Sequence, residues 1–208
     1  MRACAGWAMA LACLGGAALA EERPPPLRLQ QDLTITSRIT FSGTAGVDPA
    51  SMAGQAIANL PVMEVVQMQQ AATGRIRSET SGLVELRDTR APQAWLFSAD
   101  GADRVVRHRQ GDMAGLTVEQ VSQDPEFEAT RQAAREVAGM PCTDWRLALR
   151  DGPEEMVVLA CFAADGLVLR TARPAGGMTQ VQEVVRVARG PLDPALFAPP
   201  PGRPVVAE

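Results

Sequence analysis

The chain has 208 residues, a formal net charge of −4 and 46% apolar residues. That acidic balance excludes the basic face a nucleic-acid-binding protein needs. Beyond the first twenty residues only two cysteines and one histidine remain, too few nitrogen and sulfur ligands for a metal site, so no metal and no cofactor is expected.

Arg2 precedes an uncharged run from Ala3 to Ala20 that closes on Ala18-Leu19-Ala20, and the first acidic residues, Glu21 and Glu22, follow at once. A charged start, an apolar middle and a small-x-small exit are what a signal peptidase reads, so residues 1–20 are expected to be a signal peptide cut between Ala20 and Glu21. The run also has about the length of a bilayer span, roughly 20 residues, which leaves an uncleaved anchor as an alternative. Lipidation at Cys13 is another. The Ala/Gly-rich end favours cleavage, which leaves no membrane segment and places the chain in a bacterial periplasm or outside the cell, where disulfides persist.

Residues 21–28 are charged and Pro-rich and read as a flexible lead-in. Residues 29–198 form one domain's length of chain. Within it, Leu29–Phe41 alternates Leu33, Ile35 and Ile39 with Thr and Arg and predicts a first strand. Gly43–Leu60 is weakly patterned and reads as a loop that has room for a short helix around Ser51–Ala58, and strands are expected at Val62–Gln70, Gly74–Glu79, Leu83–Arg87, Ala94–Ser98 and Arg104–Arg109. Asp100-Gly101 supplies the turn between the last two. Met113–Val121 fits helix or strand. The spacing predicts a helix over Pro125–Ala138, with Asp124 as its cap, Pro125 in its first turn and Gly139 after its end.

Four antiparallel strands are expected in the last third: Cys142–Arg150, Glu154–Ala163, Leu167–Arg173 and Met178–Arg189. Their turns are Asp151-Gly152, Asp165-Gly166 and Ala175-Gly176-Gly177. The prolines from Pro191 to Pro201 are expected to stop regular pairing, and 199–208 reads as a Pro-rich tail.

Only Cys142 and Cys161 survive cleavage. If Asp151 and Gly152 are the two turn residues, counting outward brings Cys142 opposite Cys161, within disulfide reach. The same count sets Trp145 beside Val158 and Leu147 beside Met156 on the other face, and the next hairpin sets Phe162 across from Leu169. Trp145, Leu147, Met156, Val158, Phe162 and Leu169 are therefore candidates for an apolar concavity.

Candidates for catalysis reduce to structural roles. His108 stands among arginines with no acid partner in sequence, and no nucleophile elbow is present. Asp151, Asp165 and Asp193 are turn residues, and Asp144 is expected to pair with an arginine. No catalytic residue is assigned. The many methionines fit either a core filler or a pocket for varied apolar ligands.

Three segments, Val137–Trp145, Cys161–Arg170 and Asp193–Gly202, carry the pattern Gly-x-x-Cys-x-x-Trp, then Cys-x-x-x-Asp-Gly-x-x-Leu-Arg, then Phe-x-x-Pro. Together they resemble a family of secreted bacterial domains of unknown function whose fold is similar to the lipoprotein carriers LolA and LolB. The resemblance covers about residues 137–202. It implies a mainly β fold with few helices: a curved antiparallel sheet, or incomplete barrel, packed on helix. It also implies a non-enzymatic domain binding a lipid, an acyl chain or a lipidated partner. The matching segments lie in the disulfide hairpin and the tail, so no family binding residue carries over. The alternative is an envelope structural or protein-interaction domain whose interior is filled by its own helix, and an enzyme ranks third.

Overall fold

The computed structural model describes residues 22–43, 48, 50–91, 93–100, 105–109, 117–153, 157–175 and 177–207. Cys13, Ala18, Ala20, Glu21, Met113, Met156 and the Gly101 half of the expected turn lie outside these residues.

The elements run β1 (Leu33–Gly43), α1 (Met52–Ala58), β2 (Met63–Gln69), β3 (Arg75–Thr80), β4 (Leu83–Asp88), β5 (Gln93–Ser98) and β6 (Val105–Arg109). Then follow α2 (Val118–Gln123), β7 (Phe127–Val137), β8 (Met140–Leu149), β9 (Val158–Phe162), β10 (Val168–Ala175), β11 (Met178–Arg189), a 3₁₀ turn at Pro194–Phe197 and β12 (Val205–Ala207). All strands join one sheet in the order β12-β6-β5-β4-β3-β2-β1-β11-β10-β9-β8-β7. Every pairing is antiparallel except the short parallel one of β12 with β6. The fold is therefore mainly β with few helices, an open antiparallel sheet of the kind the resemblance implied.

The sheet curls. β7 and β11 are separated by three strands, so in a flat sheet they would stand four steps of about 4.8 Å apart. Instead their Cα atoms approach within 8 Å. Val137 of β7 and Val184 of β11 thus enter one buried cluster with Leu33, Ile35, Cys142, Cys161, Leu167 and Leu169.

The lead-in is tied down. The Arg23 guanidinium donates to the carbonyls of Asp124 at 2.8 Å and Phe127 at 3.0 Å. Pro24 is among the fully buried residues, and Leu27 and Leu29 pack on the disulfide cluster. Segment 21–28, read as flexible from its prolines and charges, owes its order to these long-range bonds.

The expected helix over Pro125–Ala138 is instead strand β7, hairpinned to β8. Its Ala-, Glu- and Arg-rich run has good helix propensity, but propensity is a weak prior that tertiary pairing overrides. Ala138 and Gly139 both adopt positive φ, +51° and +75°, which makes a two-residue hairpin turn where a helix end was expected. α2 falls at the end of the ambiguous 113–121 stretch. Thr117 and Gln120 form a capping box at its start. α1 takes the helical option within the stretch read as a loop, with Ser51 capping it.

Pairing also resumes after the prolines, contrary to expectation. Phe197 is buried, Leu196 accepts a hydrogen bond from Arg77 at 3.1 Å, and β12 then pairs with β6. Proline forbids donation only at its own nitrogen, so the proline-free Val205–Ala207 is able to pair. Arg77 and Arg203 each hold a guanidinium 5.9 Å from the centre of the Phe97 ring.

Candidate functional site

The β8–β9 register is shifted by two residues from the one counted from the turn. Trp145 faces Ala160, Leu147 faces Val158 and Asp144 faces Cys161. Pro153 supplies the reason: it has no N–H to donate, so pairing does not close tightly around Asp151-Gly152. Among the described residues the ladder runs as far as Leu147 and Val158. Side chains repeat every two residues, so a two-residue shift leaves every side chain on its expected face. Cys142 and Cys161 are bonded, with Cα atoms 5.5 Å apart.

Trp145, Leu147, Ala160 and Phe162 form a buried cluster joined by Val158 and Val168, with Val118 and Val121 of α2 packed against it. Trp145, Leu147, Val158 and Phe162 thus share one face, and α2 packs over it. Leu169 leaves that group. Phe162 faces Val168 rather than Leu169, because the β9–β10 register shifts between Val168 and Arg170. Leu169 is the extra residue of that bulge, and it packs with the disulfide.

Open space lies beside α2, where the two clusters meet. One cleft of about 270 Å³ has Ile35, Val168, Leu169 and Val184 as apolar walls. Ser37, Gln67, Arg87, Thr171 and Gln182 add polar groups to it, and α2 contributes Thr117, Val118 and Glu119. A second cleft of about 230 Å³ is bordered by Leu27, Leu29, Ile76 and Gln69. Gln67, Thr117 and Glu119 border both.

The polar members depart from an apolar pattern. On β1, the buried positions Leu33, Ile35 and Ile39 are interrupted by Ser37, which is 3% exposed. On β2, Gln67 and Gln69 follow the buried Val65 at alternate positions, and Gln69 is 4% exposed. Among the described residues no side-chain hydrogen bond engages Ser37, Gln67 or Gln69. Arg87 Nε is the one member of this group that is fully buried without a hydrogen-bond partner among the described residues, and a buried donor is almost always paired. Sequence reading missed these residues. The signal was present as glutamine and serine at inward positions of strands, where alternation predicts apolar residues.

The remaining candidates have structural partners. Asp144 is buried and accepts a hydrogen bond from Arg135 Nε at 2.6 Å. Asp151 holds a turn with φ +56°. Asp165 pairs with Arg189 at 2.7 Å, and Asp193 caps the 3₁₀ turn. His108 lies on β6 opposite Ala94, and its side chain is outside the described residues. Among the described residues, no group of three or more His, Cys, Asp or Glu is placed to hold a metal ion. No described helix is long and apolar enough to cross a membrane.

No family model matches this sequence. No curated protein matches it either. Among solved structures, the chain is similar to an uncharacterized conserved protein from Thermus thermophilus at 12% identity and a TM-score of 0.56, covering 86% of this chain and 92% of that one. It is similar to PNGF-II at 13% identity and a TM-score of 0.50, covering 86% of this chain. The match spans only 31% of the length of PNGF-II. A LolA superfamily protein from Nitrosomonas europaea superposes at 10% identity and a TM-score of 0.38, covering 83% of this chain and 92% of that one. At these identities the likeness to the first two is one of fold alone.

Proposed function

We propose that the chain is an exported, non-enzymatic binding domain that takes a lipid, an acyl chain or a lipidated partner in the clefts beside α2. The observation that carries this reading is the open apolar-walled space at the start of α2, beside the packed Trp145 cluster. The Trp145 cluster serves as the base on which α2 rests. Residues 137–202 resemble a family of secreted domains whose fold is similar to that of the lipoprotein carriers, which supports an apolar ligand. The disulfide and the pattern of residues 1–20 support export to the periplasm, with cleavage after Ala20.

The test is to purify the chain from its source organism and analyse an organic extract by mass spectrometry. A lipid recovered in proportion to protein, and lost when Leu29 or Ile76 is made charged in a folded variant, is the expected result. A chain that emerges free of lipid and takes up no added amphiphile would refute the reading.

A second reading is favoured by one observation: Val118 and Val121 already cover Trp145, Leu147 and Phe162. In that case the domain binds a protein through its surface. It would co-purify with an envelope protein and carry no lipid.

A further inference from the structure

We infer that the junction of the two clefts, at Gln67 and Arg87, seats the anionic head of an amphiphile whose chain lies along Leu27, Leu29 and Ile76. The inference rests on the amphiphile reading above and specifies the head group, a carboxylate or a phosphate.

Arg87 is the reason. Its Nε atom is buried and has no hydrogen-bond partner among the described residues. The nearest carboxylate, Glu85 Oε2, is 3.5 Å away, beyond good hydrogen-bond distance. A guanidinium only donates, so only an acceptor satisfies it. Arg87 stands in one cross-strand row with Ile76 and Gln69. Gln67, on the same face of β2 as Gln69, borders both clefts. Its amide has no side-chain hydrogen bond to another described residue and is available to a head group.

The charges lining the larger cleft are Arg87, Arg170 and Arg173 against Glu119, and Glu85, in the cross-strand row of Gln67, forms a 3.5 Å ion pair with Arg87 that an anionic head must share or displace. Glu183 pairs with Arg170 at 3.3 Å, and Arg173 makes one long hydrogen bond, 3.3 Å, to Gln180. Arginine suits planar, two-pronged recognition of carboxylate or phosphate. Free phosphate would leave the apolar walls of the second cleft unused, so a head joined to a chain is the better fit. Glu119 borders both clefts and opposes any anion there.

Titration calorimetry with laurate, dodecyl phosphate, dodecanol and inorganic phosphate, all below micelle-forming concentration, tests this. Laurate and dodecyl phosphate are expected to bind about tenfold more tightly than dodecanol, the size of one good charge-assisted contact. Inorganic phosphate is expected not to bind. Arg87→Gln should abolish the preference and leave dodecanol binding unchanged. Glu119→Gln, a change at a half-exposed residue that tests the charge even if Arg87→Gln folds poorly, should tighten laurate and leave dodecanol alone. Equal binding of laurate and dodecanol, insensitive to both substitutions, overturns the inference while the amphiphile reading stands. Binding of neither overturns both. Inorganic phosphate bound as tightly as dodecyl phosphate makes this a free-anion site and also overturns the inference.

Discussion

Cys161 stands directly across from Asp144 yet is bonded to Cys142, one pleat further along the same strand. The bridge is thus diagonal, and the residue it steps past carries its own tie, the ion pair of Asp144 with Arg135 on β7. Three strands are fastened at one place: β7 to β8 by charge, and β8 to β9 by sulfur.

The bridge closes a loop with a sequence separation of 19 residues. In the chain-entropy account that stabilises the fold by about 3 kcal/mol. Replacing both cysteines by serine is expected to lower the unfolding free energy by that amount, measured by urea denaturation. Both cysteines are at least 95% buried, being 5% and 0% exposed. Reduction of the native protein by dithiothreitol should therefore be slow and should accelerate near the unfolding midpoint. Rapid reduction without unfolding would show that the bridge is accessible.

Trp145 is 3% exposed, and its indole N–H has no hydrogen-bond partner among the described residues. Leu147, on the same face, is fully buried. Leu147→Ala should cost about 2–5 kcal/mol and Trp145→Ala about 3–5 kcal/mol, as for other large-to-small core changes. Trp145→Phe keeps most of the ring and removes the unpaired donor, so it should cost less than about 1.5 kcal/mol. Denaturant titration of the three variants gives the ranking, and a Phe variant as unstable as the Ala variant would contradict it.

Gly166 has φ +82°, and a Cβ there would stand 2.3 Å from the carbonyl oxygen of Pro26. Gly82 and Gly177 have similar angles, +80° and +79°, with open space around them. Alanine at Gly82 or Gly177 should cost about 1–2 kcal/mol of backbone strain. Alanine at Gly166 must also displace the lead-in, so its cost should be clearly larger. Hydrogen exchange should then show faster exchange at Arg28, whose amide bonds to Asp165 O at 2.9 Å. Equal melting temperatures for the three variants would mean that the lead-in does not rest on this turn.

The strands of the last third were legible because Asp-Gly and Gly-Gly turn signals separate runs of strand length. The faces of β8 were legible too, since a shift of two leaves parity intact. Three features were not. β7 hides as a helix because Glu128, Ala129, Arg131, Ala133, Ala134 and Arg135 favour one locally, and only the partner strand, far off in energy terms from any local rule, decides otherwise. The bulge at Leu169 has no sequence mark, yet it moves that residue from the Trp145 cluster to the disulfide. The cleft polar groups come from β1, β2 and β4, and only the pairing of those strands brings Ser37, Gln67 and Arg87 to one place.

The sheet ends at β7 on one side and at the three-residue β12, laid over β6, on the other, and the two sides are guarded differently. β7 presents Glu128, Arg131, Arg135 and Glu136 along an exposed margin, and charge there discourages another molecule's backbone from docking. β6 has no comparable guard at Val105 and Val106, and its free side is occupied by Val205 and Val206 from the same chain. The last residues thus act as a built-in stopper. Without them, β6 would offer bare amides and carbonyls to any passing copy, and molecules would adhere side by side at that margin.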